Sequence, residues 1–249
     1  MVGLSHAEGG VMKVPLFSCA NLSLDLGGRE VLRNIGFSLR RGEVLGIIGP
    51  NGAGKTSLLE ILSGRYVPKT GSVHLKGQDI TSLPLFKRAR LGIGRTYQTP
   101  IVCEDLTVGE TFKAARQASE PYLTRFDAEY GAGLVDFVAP YNTPNSQLKT
   151  FERRKLLMAN LLMRRPELLL MDEPAAGLIN AEIDQIDQIL RMLSKEMNVG
   201  VVIVEHRMEL LESIADRVIV MDAGEIIAEG TLQDVIQSPA VRSAYFEAH

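Results

Sequence analysis

VLGIIGPNGAGKTSLLEILSG, residues 44–64, is the stretch from which the rest of the chain is read. Its first six residues are mostly apolar and suit a strand buried on both faces. TSLLEILSG follows with helical spacing: Leu58, Leu59, Ile61 and Leu62 supply apolar faces, and Gly64 is placed to stop the helix. Between strand and helix lies GPNGAGKT, residues 49–56, which is a glycine, four free positions, then Gly54, Lys55 and Thr56. This is the phosphate-loop pattern in the strand–turn–helix context that it needs. Glycines let the backbone curl until successive N–H groups converge on one anion, and the helix N-terminus adds its positive dipole end. The expected nucleotide-binding residues are therefore Gly49, Pro50, Asn51, Gly52, Ala53, Gly54, Lys55, Thr56 and Ser57. Lys55 is placed for the β- and γ-phosphates, and Thr56 offers its hydroxyl to Mg²⁺. A glycine-rich turn without a ligand has no need of the Lys-Thr ending.

Composition bounds the class. The 249 residues are 45% hydrophobic with a net charge of −3, which allows a sizeable core and lacks the basic excess of a nucleic-acid binder. Nucleic acid is accordingly not an expected partner. Cys19 and Cys103 have no metal-ligand spacing and read as reduced thiols. Apolar runs such as residues 199–204 fall far short of the ~20 residues that cross a bilayer. The opening MVGLSHAEGGVMK has neither a basic n-region nor an apolar h-region. Residues 1–13 are expected to be a flexible terminus, and the chain to be cytoplasmic.

Alternating apolar residues over 17–39, around Gly27-Gly28, predict a small antiparallel sheet, to which residues 72–78 add a strand. Between 96 and 165 strand signals vanish. Helix-like stretches separated by Pro121, Pro140 and Pro144 predict an inserted helical lobe there. After Pro166 the alternation resumes: strand 168–171, a helix from 181 with Asn180 as N-cap, strand 201–204, a helix from 208, strand 218–221. Ile183, Ile186, Leu190, Leu193 and Met197 form a core-facing stripe, DAGEI at 222–226 a turn between strands, and residues 238–246 a final helix. The expectation is one α/β domain over 14–249. Its nucleotide-binding core comprises 14–95 and 166–236 and carries the β subdomain, 96–165 forms a helical subdomain, and 237–249 forms a C-terminal helix.

LLLMDEP, residues 168–174, is an apolar strand ending in two acids, which puts Asp172 and Glu173 where open α/β sheets bind ligands. Asp172 is expected to hold Mg²⁺ through water, and Glu173 to be the general base for the water that attacks the γ-phosphate. Gln98, in GIGRTYQTP, has both an amide donor and an acceptor, suited to the metal-bound water and to reporting nucleotide state to the lobe beyond it. His206 follows VVIVE directly and is placed to donate to the γ-phosphate. Singly, these are a surface turn, a solvated amide and a structural histidine. In this order behind a phosphate loop they describe ATP binding and hydrolysis.

The series resembles the ATP-binding cassette (ABC) ATPases over essentially all of 14–249. That resemblance implies a P-loop NTPase fold with a RecA-like core. It implies two cassettes facing head to tail, each ATP lying between one subunit's phosphate loop and the other's signature motif, beneath two membrane permease subunits. GRTYQTPIVCEDLTVGET, DEPAAGL and AVRSAYFEAH are similar to the ATPase subunits of bacterial branched-chain, or hydrophobic, amino-acid importers. From this follow the expected partners: permease subunits, a second ABC ATPase subunit and, indirectly, a periplasmic or extracellular substrate-binding protein. The expected location is the inner face of the bacterial cell membrane. By the same resemblance Pro100, Ile101 and Val102 are candidates for the surface that docks the permease.

Three positions depart from the family pattern. In place of the signature Leu-Ser-Gly-Gly-Gln stand Leu148, Lys149, Thr150, Phe151 and Glu152, so that side chains fill the glycine positions next to the partner's γ-phosphate. Leu26 falls where an aromatic commonly stacks on adenine, and Ile179 where an Asp or Asn communicates across the dimer. The split between an intact hydrolytic set and a degenerate signature implies a heterodimer with a cassette whose signature is intact, a homodimer being the alternative. Two other functions fit the same motifs: the ATPase of a lipid or polysaccharide exporter, and a soluble nucleotide-sensing module with little turnover.

Overall fold

The computed structural model describes residues 14–246, and side chains as far as residue 243. The terminus expected to be flexible at 1–13 and the last three positions of the expected C-terminal segment lie outside the described residues. In chain order the elements are β1 (Phe17–Leu26), β2 (Arg29–Leu39), β3 (Val44–Ile48), α1 (Lys55–Ser63), β4 (Thr70–Leu75), β5 (Gln78–Asp79), α2 (Leu85–Arg90) and β6 (Ile93–Arg95). Then come α3 (Val108–Gln117), α4 (Arg125–Leu134), α5 (Thr150–Leu162), β7 (Leu168–Asp172) and α6 (Asn180–Arg191). The chain continues with β8 (Gly200–Val204), α7 (Met208–Ile214), β9 (Arg217–Asp222), β10 (Glu225–Gly230), α8 (Leu232–Gln237) and α9 (Pro239–Phe246).

Six strands form one sheet in the order β10-β9-β3-β8-β7-β6, parallel except for β10 at the edge. Both faces of this sheet are covered, which is why its strands read as unbroken apolar runs. Alternate residues serve two cores. Val44, Leu169, Met171, Val201 and Ile203 face the helices α5, α6 and α7, whereas Leu45, Ile47, Leu168, Leu170, Val202 and Val204 face α1 and the second sheet. That second sheet is antiparallel, in the order β2-β1-β4-β5. Between β6 and β7 the described chain is helical, and Val102, Val108, Phe112 and Phe151 bury their side chains there.

Several boundaries differ from the sequence reading. The strand expected at 72–78 is a hairpin of β4 and β5, because Lys76 and Gly77 both take positive φ, 52° and 80°, and reverse the chain. Asn180 is not the N-cap of α6 but its first helical residue. Ile179 takes the extended cap conformation, and its N–H donates to the Glu182 carboxylate at 3.1 Å. The stripe expected on one helix runs across α6 and a π-helical turn at Met192–Glu196, with Ile186, Leu190 and Leu193 buried and Ile183 and Met197 partly so.

α2 and β6 had no sequence signal of their own, and a buried cation anchors them. Arg88 is fully buried, and its guanidinium donates to Ile61 O at 2.8 Å, Leu62 O at 2.9 Å, Leu83 O at 2.9 Å and Thr81 O at 2.9 Å. It thus satisfies carbonyls at the C-terminal end of α1, where Gly64 is the C-cap. Burial pulls its pKa down to about 10, so it remains a cation at neutral pH. Arg88→Met strips four carbonyls of a donor and is expected to cost about 3 kcal/mol or more. Thermal unfolding checks this: the midpoint falls by roughly 6–12 °C, whereas an unchanged midpoint means that water replaces the guanidinium.

Candidate functional site

Because β3, β8, β7 and β6 are parallel neighbours, the loops that follow them emerge on one edge of the sheet. The phosphate loop follows β3. Gly49 has φ 155°, and a Cβ there would lie 2.1 Å from Met221 O of β9, so the loop can pass the neighbouring strand only as glycine. Gly54, the N-cap of α1, has no side chain to close the helix, whereas α3, α4 and α8 are each closed by a threonine hydroxyl from Thr107, Thr124 and Thr231. The first-turn N–H groups of α1 are therefore left to a ligand, and an anion suits them. Lys55 is buried beneath the loop and its Nζ donates to Gly49 O at 2.7 Å and Pro50 O at 2.9 Å. Burial pulls its pKa below the usual lysine value, while the carboxylates of Glu173 and Asp172 pull it back. Thr56 is exposed beside it and Ser57 half-buried.

The strand ends bring the other groups together. Glu173 has a left-handed backbone, φ 44°, and its N–H donates to Val204 O at 2.8 Å, which joins the end of β7 to the end of β8. Its carboxylate is held on both sides: Gln98 Nε2 donates to Oε2 at 2.7 Å, and His206 Nε2 lies 3.1 Å from Oε1. Three residues from separate loops, Gln98, Glu173 and His206, thus form one cluster. Asp172 is buried at the end of β7, where Arg95 Nη2 donates to its Oδ2 at 3.1 Å.

Three further residues carry this arrangement and were missed in the sequence. Arg95 ends β6 and pairs with Asp172; only its place three residues before Gln98 hinted at a role. Glu205, between β8 and His206, is 2% exposed and accepts N–H groups from Ala175 at 2.8 Å, His206 at 2.8 Å and Arg207 at 3.1 Å. A glutamate directly after VVIV was the available signal. Arg154, buried on α5, donates to Pro174 O, to Gln98 O at 3.2 Å and to Ala176 O at 3.1 Å. The helix that follows the signature is thereby bonded to the loops bearing Gln98 and Glu173.

The degenerate positions fall into two groups. Leu148 is buried and Lys149 is the exposed N-cap of α5, its backbone N–H donating to the Glu152 carboxylate at 2.8 Å. Thr150 is exposed, but Phe151 is 9% exposed and turned inward, with Lys155 Nζ 4.8 Å from its ring centre. The side chain expected to block the surface at 151 is therefore in the core. Leu26 lies at the exposed tip of the β1–β2 hairpin, opposite Arg29, and Ile179 is 67% exposed. Of the three expected docking residues, Val102 is buried in the helical lobe and does not face outward. Ile101 is exposed, and with Pro100 it lines a groove.

This geometry matches a known group of proteins. The pattern of the family described as "ABC transporter" covers residues 32–176, more than half of the chain. The chain belongs to the ABC transporter family. It is an ATP-binding cassette, the subunit that hydrolyses ATP. It is 32% identical to the "High-affinity branched-chain amino acid transport ATP-binding protein BraF" of Pseudomonas aeruginosa, over 94% of this cassette and 98% of that protein. It is 31% identical to the corresponding LivG of Escherichia coli over the same shares, and 34% identical to a probable ABC transporter ATP-binding protein of Azorhizobium caulinodans over 90% of this cassette and 80% of that protein. Among solved structures, a nucleotide-free ATP-binding cassette from an ABC transporter superposes with a TM-score of 0.83 at 25% identity, covering 93% of this cassette and 98% of that chain. The ADP conformation of an ATP-binding cassette of an ABC transporter gives 0.82 at 25% identity over the same shares.

Glu205 is expected to act by positioning. Glu205→Ala frees the backbone that carries Glu173 and His206, so hydrolysis falls about tenfold or more while ATP affinity is kept, the loss matching one charged hydrogen bond. Separate measurement of ATP binding and of turnover checks this. A parallel loss of both would mean that the fold around the phosphate loop depends on Glu205 as well.

Proposed function

We propose that the cassette binds ATP with Mg²⁺ at this sheet edge and hydrolyses it to drive a bacterial importer of branched-chain or other hydrophobic amino acids. The observation carrying the hydrolytic part is the Glu173 carboxylate, held by Gln98 and His206 at the edge that bears the phosphate loop. First-turn N–H groups of α1 and Lys55 take the β- and γ-phosphates. Thr56, Gln98 and, through water, Asp172 would hold the metal. One hydroxyl, one amide oxygen and one carboxylate are hard oxygen ligands that fit Mg²⁺ and leave positions for phosphate oxygens and water. The bound ion would neutralise charge on the phosphates. Glu173 accepts the proton of the attacking water, and His206 donates toward the γ-phosphate.

The importer reading is supported by BraF and LivG, named for branched-chain amino-acid transport and aligned with this chain over nearly their whole length. On it the cassette lies on the inner face of the membrane beneath permease subunits that a substrate-binding protein serves. No described helix is long and apolar enough to cross a membrane; on this reading the permease subunits supply the spanning part. Residues 14–95 and 166–236 act as the core, and residues 96–165 as the helical subdomain that carries the signature to the second cassette. Lys149 and Thr150 give that surface a different chemistry from the family's serine and glycines, which supports a heterodimer whose effective site is the one at this chain's Lys55 and Glu173.

In the assembled transporter Glu173→Gln is expected to lower hydrolysis by about 10²–10⁴-fold, the range for losing a general base, with ATP still bound. The matching substitution in the second cassette is expected to cost far less. Phosphate release from the two singly substituted complexes checks this; equal losses overturn the asymmetry, and full activity in the Glu173→Gln complex overturns the role of Glu173.

A further inference from the structure

A trio of buried charges lies between α1 and the strand ends. Asp172 closes β7 and, by strand alternation, shares the face of Leu168 and Leu170 that α1 covers. Arg95 stands in register with Leu170 on the neighbouring β6 and turns to the same face. From α1 itself comes Glu60, 8% exposed and on the helix that Lys55 begins.

Pairing within the trio is lopsided. Arg95 Nη2 donates to Asp172 Oδ2 at 3.1 Å, whereas the same nitrogen is 3.7 Å from Glu60 Oε1, outside hydrogen-bond range. Glu60 Oε2 is buried with no hydrogen-bond partner, and Arg65 Nε is also 3.7 Å away from it. On the guanidinium, Nε and Nη1 are buried and equally unanswered. A buried carboxylate is costly without a charge-assisted hydrogen bond, and Arg95 has donors to give. The ring of Tyr97, its centre 5.0 Å from the guanidinium carbon, packs on this cation without a directional bond that would fix it to one acid.

We propose that Arg95 is a positioning residue that exchanges carboxylates, pairing with Asp172 in the metal-free site and with Glu60 once Asp172 serves Mg²⁺. The inference rests on the reading of Asp172 as a metal-holding group, and it adds Glu60 to the residues that set metal affinity. A guanidinium against Oδ2 opposes a divalent cation at the same carboxylate. Moving to Glu60 lengthens that contact, keeps the guanidinium paired and supplies the buried acid with the hydrogen bond that it lacks. Arg95 thus sets how much Mg²⁺ the site requires, and Glu60 lowers that requirement by receiving the displaced cation.

Crystal structures of the full-length chain with a non-hydrolysable ATP analogue, with and without Mg²⁺, test the exchange directly. The expected result is Arg95 on Asp172 without the ion and hydrogen-bonded to Glu60 with it. Analogue and Mg²⁺ in place with Arg95 still on Asp172 overturns the exchange and leaves the nucleotide site standing. Metal held without Asp172, or the analogue bound away from the Lys55 loop, overturns both the exchange and the reading beneath it. In solution, the Mg²⁺ concentration that half-saturates binding of a fluorescent ATP gives a second readout. Glu60→Gln is expected to raise it several-fold, Arg95→Gln to lower it, and Glu60→Gln added to Arg95→Gln to change it no further. An equal rise from Glu60→Gln in both backgrounds overturns the exchange, because the Glu60 charge then acts on the metal without Arg95. Thermal unfolding identifies any variant that loses its fold, and the crystallographic comparison needs no variant.

Discussion

Parallel pairing of β3, β8 and β7 is the constraint on which the site rests. The registers Ile47 with Val204 and Asp172 with Val204 align the ends of three strands, so that the phosphate loop, the acid pair and His206 leave the sheet side by side. Each strand is buried on both faces, and a shift of one residue would exchange the two cores. The site therefore inherits its precision from apolar packing well below it. Glu205 extends this alignment past the last ladder bonds: its N–H donates to Ile47 O at 3.3 Å while its carboxylate takes the N–H of Ala175.

Three buried arginines hold what the sheet does not. Arg88 closes the end of α1, and Arg154 bonds α5 to the loops after β6 and β7, each spending its donors on backbone carbonyls. A guanidinium serves because it offers five donors in a fixed plane and stays charged when buried. Arg95 alone of the three pairs with carboxylates and keeps donors unanswered. The helical lobe meets the nucleotide edge at Arg154, which bonds α5 to the carbonyls of Gln98 and of Pro174, the residue after Glu173.

The altered signature shows how a substitution that looks obstructive is accommodated. A phenylalanine at a position of close approach suggests a steric block, but the start of α5 turns Phe151 into the apolar interior and leaves Lys149 and Thr150 outside. Glu152 caps the backbone of Lys149, so the helix begins in an ordinary way. What changes is the chemistry at the exposed start of α5: an ammonium and a hydroxyl where the resembled pattern has serine and glycine.

The sequence by itself determined the class of fold, the phosphate loop and the order of Asp172, Glu173, Gln98 and His206, because each is a local pattern whose period or spacing has one physical reading. The strand–loop–helix over 44–64 is of this kind. It did not determine Arg95, Glu205 or Arg154, whose partners lie 77, 30 and 20 residues away in Asp172, Ala175 and Pro174. Nor did it show that Val102 and Phe151 point inward, since an apolar residue in a loop or at a helix start is as readily outside as in until the opposing surface is known. Boundaries such as Ile179 capping α6 were set by backbone dihedrals and not by the cap-forming side chain nearby. Tertiary structure alone decided which charges meet, because burial and pairing depend on strands brought together from distant parts of the chain.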